Sequence, residues 1–385
     1  MVARNRVGLV YSYNENWIAG AYYVLNIIHA LKAIEDDRQP HLVILSDSYE
    51  NFMKIKEQTS YPYLEYIPYP FPTKPNTFIE NLVNRLTDKL FKRKFIVKRA
   101  KYPKLDFLYP NEIKGLSNQL MKINWIPDFQ EDYLPHFFST DEVMLRKKYQ
   151  KDIIVKGDIV VLSSEDAKKD FLRLYPKAKA RPFVLPFAVS HPDFSMESID
   201  DLLLKYNLPK NYFFAPNQFW AHKNHIVVLK AVRFLKEKGI SVVVAMSGKE
   251  NDYRNLENFK TLNAYISKNE LENNIKFLGF IPRTEQLCLF KNAQAIIQPS
   301  LFEGWSTVVE DAKALDKFVI ASDLNVHREQ LKDNAWFFDP NDEKKLANSI
   351  ETFLSEPPKI SELEYKKNII EFGNQFSELI KLGLK

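Results

Sequence analysis

One cysteine in 385 residues, Cys288, has no partner for an internal disulfide. A disulfide framework is excluded, and the expectation is a reducing compartment in which Cys288 packs as a small apolar group. The chain also lacks any run of about 18 apolar residues that could span a bilayer. Behind Arg4 and Arg6, the apolar stretch VGLVYSY is too short for a secretory leader and soon meets Asn14, Glu15 and Asn16. The expected location is the cytoplasm, or the inner face of a membrane as a peripheral protein. Asp-x-Asp is missing too, and with it a common way of holding a divalent ion against phosphates. No metal and no cofactor are expected. There is no repeat with a period of about 20–50 residues, which excludes solenoids.

What is present is globular: 45% hydrophobic, 27% charged and 14% aromatic residues, enough to fill large cores and to face sugars or bases. The length exceeds one ordinary core, so two domains of roughly 150–200 residues are expected. Strand-like and helix-like segments alternate from the start: RVGLVYSY, then a helical period over 20–34, then HLVILS. The series continues through YLEYIPYP, a helical 76–92, DFLYP, KINWIPDF and DIVVLSS. A second series runs from YFFAPNQ through SVVVAMSG, NIKFLGF, AQAIIQPS and KFVIAS to AWFFD. Unbroken apolar runs, not alternating ones, imply strands covered on both faces, hence mostly parallel sheets. The fold class is therefore α/β, with two Rossmann-like doubly wound domains. The proline-punctuated PFVLPFAVSHPDF (182–194) reads as their connection. The expected division is 1–187, 188–365 and a C-terminal helix over 366–385 that packs on either domain.

Net charge is +5, unevenly spread: nine Lys/Arg between Arg85 and Lys104 oppose one acid, Asp88. With Phe78, Leu82, Leu86, Leu90 and Phe91 at helical spacing, the segment 85–104 reads either as a surface helix that rests on anionic lipid or as a solvated helix face. No nucleic-acid motif accompanies it, so nucleic acid is not expected as a partner.

In open α/β sheets ligands bind beyond the carboxyl ends of strands, so the informative residues follow strands. PNQFWAHKNH (216–225) places Lys223 at a helix start, with Asn217, His222 and His225 beside it. An ammonium and free N–H groups there suit a phosphate. GFIPRTEQ (279–286) offers Gly279 for close backbone approach, Phe280 and an apolar Ile281 for a flat base, and Arg283 as a cation. SLFEGWSTVVEDAKALDK (300–317) puts Glu303 and Gly304 in a turn and Trp305, Ser306 and Thr307 at a helix start, with Glu310 further along. Two carboxylates around an anion-binding helix end fit a ligand with hydroxyls at both ends and negative charge in the middle. The alternative is a plain turn residue and a solvated helix residue.

The run IIQPSLFEGWSTVVEDAKALDKFVIAS resembles the donor-binding signature of retaining glycosyltransferases of the GT-B fold, glycosyltransferase family 4, or glycosyl transferases group 1. The resemblance covers about 210–340, with shorter pieces at WIAGAYY (17–23) and INWIPDFQ (123–130). It implies two Rossmann-like domains facing a central cleft and transfer of a hexose from a nucleotide-diphosphate sugar to a glycan or lipid-linked glycan acceptor, with retention and without metal. It implies that Glu303 accepts from donor hexose hydroxyls, Glu310 binds ribose, Lys223 neutralises the diphosphate with the 305–307 backbone, Gly279 to Ile281 border the base, and Gly20 faces phosphates or acceptor. The chain departs from the pattern in three places. Six residues instead of seven separate the two glutamates, Asn217 replaces an arginine whose charge His222 would supply, and Ala19 replaces a second glycine. Asp128 stands as the candidate base where a first-domain histidine is often found. A nucleotide-sugar epimerase of the same fold and an inactive sugar-binding scaffold are the competing readings.

Overall fold

The computed structural model describes residues 4–13, 18–71, 76–93, 102–111, 113, 116 and 119–384, with backbone alone for 18 and 19. Trp17 and the basic Lys94, Lys98, Arg99 and Lys101 lie outside the described residues. The chain forms two compact units, Met1–Asn124 with Gly373–Lys385, and Trp125–Phe372. The proline-punctuated stretch falls inside the second unit.

In the first unit, β1 (Arg6–Val10), β2 (His41–Ser46), β3 (Leu64–Pro68) and β4 (Phe107–Tyr109) pair in parallel in the order β3-β2-β1-β4. The central strands carry the unbroken apolar runs and are buried, whereas edge strand β3 is half-exposed. The helix Ile18–Lys32 buries Ala21, Val24, Ile27, Ile28 and Leu31 at spacings of three and four. The last turns of the helix Lys366–Gly383 also belong here, with the Phe376 ring edge-on to Tyr109 at 5.4 Å. Gly373 permits this packing, because a Cβ there would lie 2.2 Å from the carbonyl oxygen of Ala30.

The second unit holds two sheets, the larger of them parallel throughout. β5 (Ile123–Ile126), β6 (Ile159–Leu162) and β7 (Arg181–Val184) form one, in the order β5-β6-β7. β7 corrects the sequence reading, which takes 182–184 as connection: Pro182 cannot donate to a ladder, but an edge strand tolerates that. The larger sheet contains β8 (Phe213–Ala215), β9 (Val244–Ser247), β10 (Ile275–Gly279), β11 (Ile296–Gln298), β12 (Val319–Ser322) and β13 (Ala335–Phe338). Its order is β10-β9-β8-β11-β12-β13. Alternate residues feed cores on opposite faces: Phe213, Val244, Ile297 and Ile320 on one, Phe214, Ala245, Ile296 and Val319 on the other. Cys288 is buried in the second of these, as expected. The chain builds outward from β8 in one direction and from β11 in the other, so the strand order reverses between them. That switch point is where loops diverge and leave room for a ligand.

Among the described residues no helix is long and apolar enough to cross a membrane.

Gly373→Ala gains helix propensity yet places a methyl group against a main-chain oxygen. It is expected to destabilise the protein by about 1–3 kcal/mol in urea unfolding; a gain in stability would contradict the packing described.

Candidate functional site

Both loops at the switch point carry residues singled out above. After β8, a 3-10 turn, Ala221–Lys223, leads to Asn224 in the left-handed region at φ 55°. The Asn224 side chain donates to the carbonyl oxygens of Pro299 and Pro340 at 3.1 and 2.8 Å, tying this loop to the one after β11. Lys223 Nζ then meets Glu303 Oε1 at 2.6 Å. The pair is largely withdrawn from water, with side-chain exposures of 17% and 9%. The same Oε1 accepts from Gln298 Nε2 at 2.9 Å and Ser300 Oγ at 2.7 Å. Gln298 is oriented in turn by Asn217 Nδ2, 2.8 Å from its Oε1. Asn217, which stands where the resemblance places an arginine, therefore helps aim Glu303. Gln298 and Ser300 escape the sequence reading because they look like the polar end of an apolar strand.

The turn after Glu303 has no room for a side chain. A Cβ on Gly304 would lie 2.4 Å from the Pro127 carbonyl oxygen and 2.9 Å from Asp128 Cβ, so this glycine allows the end of β5 to approach. Asp128 is thus brought beside the Glu303 turn. Its Oδ1 accepts from Arg146 Nη2 at 2.6 Å and from the Gln130 amide at 3.1 Å, so the candidate base is already engaged by a guanidinium. Trp305 Nε1 donates to the Phe187 carbonyl at 2.9 Å. The Ser306 amide donates to Gln330 Oε1 at 2.9 Å, and its hydroxyl caps the helix Thr307–Ala314 through the Val309 amide.

Glu310 is neither solvated nor open. Its Oε1 accepts from Lys313 Nζ at 2.9 Å and Gln330 Nε2 at 3.0 Å, and its Oε2 from the Tyr365 hydroxyl at 2.6 Å. Burial, then the Glu310 charge, pushes the Tyr365 phenol well above its ordinary range, which keeps it a donor. A cavity of about 460 Å³ opens on this side, lined by Lys313, Gln330, Leu331, Lys332 and Tyr365 among others. The next residue, Asp311, is the acid with seven residues between it and Glu303. It lies against His191 Nε2 at 2.8 Å and Arg283 Nη2 at 2.5 Å. Burial alone would raise its carboxyl, but Arg283 and His191 outweigh that and hold it below the ordinary range. Counting on to Asp311 would have found it in the sequence.

Arg283 follows β10, whose final Gly279 takes φ 69° and accepts from the Gly248 amide at 2.9 Å. Ile281, expected as a platform, is buried in the core with Cys288 and Leu289; Phe280 is the exposed apolar ring of this loop, with Lys249 Nζ 5.5 Å from its centroid. Gly20 belongs to the first unit, in the opening turn of the helix Ile18–Lys32 and not in the loop before it.

His222, His225 and His327 are buried near Lys223 and Glu303. Burial first, then Lys223, Arg254 and His225, drives His222 well below its ordinary pKa. It is neutral at neutral pH and supplies no replacement for the missing arginine charge. His225, stacked on Phe219 with centroids 4.5 Å apart, falls to about 3 for the same reason of burial. Burial lowers His327 too, against the pull of Glu303, and its Nδ1 donates to the Ser322 carbonyl at 2.8 Å.

The family model of Glycosyl transferases group 1 matches residues 204–375, which contain both switch-point loops. A curated relative, the O-antigen chain mannosyltransferase RfbU of Salmonella typhimurium, is 27% identical over 165 residues, 43% of this chain and 44% of that protein. The chain thus spans less than half the length of this relative. Among solved structures, Anabaena HepE, determined with UDP and glucose, matches with a TM-score of 0.67 at 15% identity over 99% of this chain and 100% of that one. A glycosyltransferase from Rickettsia africae matches with a TM-score of 0.59 at 17% identity, over 99% and 95%. At such identities the likeness concerns the fold, and the α/β, GT-B class expected from the sequence is the one found.

Histidines kept uncharged by burial predict that stability falls in acid. His225 binds its proton near pH 6.5 when unfolded and only near 3 when folded, so the unfolded state takes up protons first and stability falls as pH drops below 6.5. This one group should remove about 2 kcal/mol by pH 5. His225→Phe is expected to flatten the decline in unfolding free energy between pH 6.5 and 5; an unchanged slope would show that the ring is not buried neutral.

Proposed function

We propose that this chain is a retaining glycosyltransferase of glycosyltransferase family 4, which moves a hexose from a nucleotide-diphosphate sugar to a glycan or lipid-linked glycan acceptor. The observation that carries the reading is the Lys223–Glu303 pair at the switch point of the larger sheet. A carboxylate held by three donors on one oxygen has a fixed direction in which to accept hydroxyls of a hexose. An ammonium beside it meets the charge that grows on a departing diphosphate, where fixed charges and N–H donors stabilise a transition state most. The family-model match over 204–375 supports the reaction class, and the mannosyltransferase relative supports a glycan product. UDP in the HepE structure supports a nucleotide-sugar donor.

Within this reading the ribose contact moves from Glu310 to Asp311. Glu310 receives donors on both oxygens, from Lys313, Gln330 and Tyr365, whereas His191 and Arg283 both meet Oδ1 of Asp311. Asp311 also has seven residues between it and Glu303, and Arg283 joins it to the Gly279–Ile281 loop that would border the base. Retention follows from attack on the face the diphosphate leaves, with a phosphate oxygen taking the acceptor's proton. Asp128, held by Arg146, then serves to position the Glu303 turn where Gly304 lets the two meet, and no side-chain base and no divalent ion take part.

The test is incubation with a panel of nucleotide sugars and glycan acceptors, with and without a chelator, with mass spectrometry to detect transfer and proton NMR to read the configuration of the products. The expected result is a glycosylated acceptor of retained configuration, insensitive to chelation. An epimerised donor in the absence of acceptor, or binding without turnover, would overturn the proposal. With the active donor, Asp311→Asn is expected to raise KM about 10-fold or more, the worth of a hydrogen bond to a charged group. Glu310→Gln should lower Tm and leave KM near its original value; the reverse pattern would return the ribose to Glu310.

A further inference from the structure

The helix Phe78–Phe91 is built the wrong way round for a helix that only packs on its own domain. Thr77 and Glu80 close a capping box at its start, so its boundaries are well set. The side turned inward is narrow and mainly polar: Asn84 is buried, and Glu80, Val83 and Thr87 are half-buried. The apolar residues point outward, with Phe78 84%, Ile79 71%, Leu82 50%, Leu86 55% and Leu90 72% exposed. At 100° per residue these five fall on an arc of about 120°. Arg85, exposed, borders one edge of that arc, Lys89, also exposed, lies just inside the same edge, and Lys92 and Arg93 follow at the helix end.

We propose that this face docks on an anionic bilayer surface, with the apolar arc in the headgroup boundary and Arg85, Lys89, Lys92 and Arg93 on lipid phosphates. Charge selects this occupant. Four cations stand on and beside the helix, against Asp88 and the half-buried Glu80, which is the arrangement that an amphipathic helix uses on anionic lipid. Size argues against a second copy of the chain. A 14-residue helix is about 21 Å long and 10 Å wide, a footprint near 200 Å² where a stable pair buries about 800 Å² on each partner. The inference is independent of the transferase reading, since it concerns the first unit alone and needs neither donor nor acceptor. It would place the protein where a lipid-linked acceptor resides.

The full chain would be sedimented with vesicles of phosphatidylcholine, or of an equimolar mixture with phosphatidylglycerol, at low and high salt. Binding to the anionic vesicles, weakened by salt and absent from the neutral ones, is expected. Arg85→Gln and Lys89→Gln should each lower the partition coefficient roughly fivefold. Leu82→Glu with Leu86→Glu should abolish binding while the thermal unfolding curve stays in place, because both side chains are exposed. Leu86→Trp gives a second readout, a blue shift in emission on anionic vesicles alone. Equal binding to both vesicle types, no binding to either, or a dimer that Leu86→Glu disperses would each overturn the proposal.

Discussion

The contact on which the second unit's site depends is the Lys223–Glu303 ion pair, 2.6 Å long and mostly withdrawn from water. Two charges in such a place are costly unless their remaining hydrogen-bonding capacity is met. Gln298 and Ser300 meet that of Glu303 Oε1, and Asn217 holds Gln298. The network then runs through Ser306 and Gln330 to Glu310 and Tyr365. Loss of either charge leaves the other buried and unpaired, a penalty of about 3–5 kcal/mol. The pair is therefore both a structural tie between the loops after β8 and β11 and the chemical centre of the proposed reaction.

Backbone approach sets the geometry around that centre. Gly248 brings β9 against the Asn217 loop, where a Cβ would lie 2.3 Å from the Asn217 carbonyl oxygen, and Gly304 brings the Glu303 turn against β5. Neutral histidines complete the surroundings. His222 and His225 are packed close to Lys223 and are kept uncharged by burial and by that ammonium. Of these groups after β8, only Lys223 then carries a charge.

Much of this was legible in the sequence, for identifiable reasons. Unbroken apolar runs imply parallel strands, and the segments that follow strands hold Lys223 and Glu303; Asn217 stands out only as a departure from the resemblance. What was not legible depends on burial and on contacts distant in sequence. Glu310 and Asp311 are adjacent buried acids with different partners, and only packing against Tyr365 or Arg283 tells them apart. Of Phe280 and Ile281, both expected to border a base, only Phe280 is exposed; Ile281 packs in the core beyond a glycine at positive φ, a turn that side-chain type alone does not reveal. The engagement of Asp128 by Arg146 joins residues on separate elements. β7 was hidden by prolines that an edge strand accommodates.

A double-mutant cycle on Lys223 and Glu303 tests the central claim most directly. With an active nucleotide sugar, kcat/KM would be measured for Lys223→Met, Glu303→Gln and the two combined, with unfolding recorded alongside. If the pair acts as one unit, the combined loss will be close to the larger single loss, as for residues that work together. Losses that multiply, each independent of the other, would contradict it.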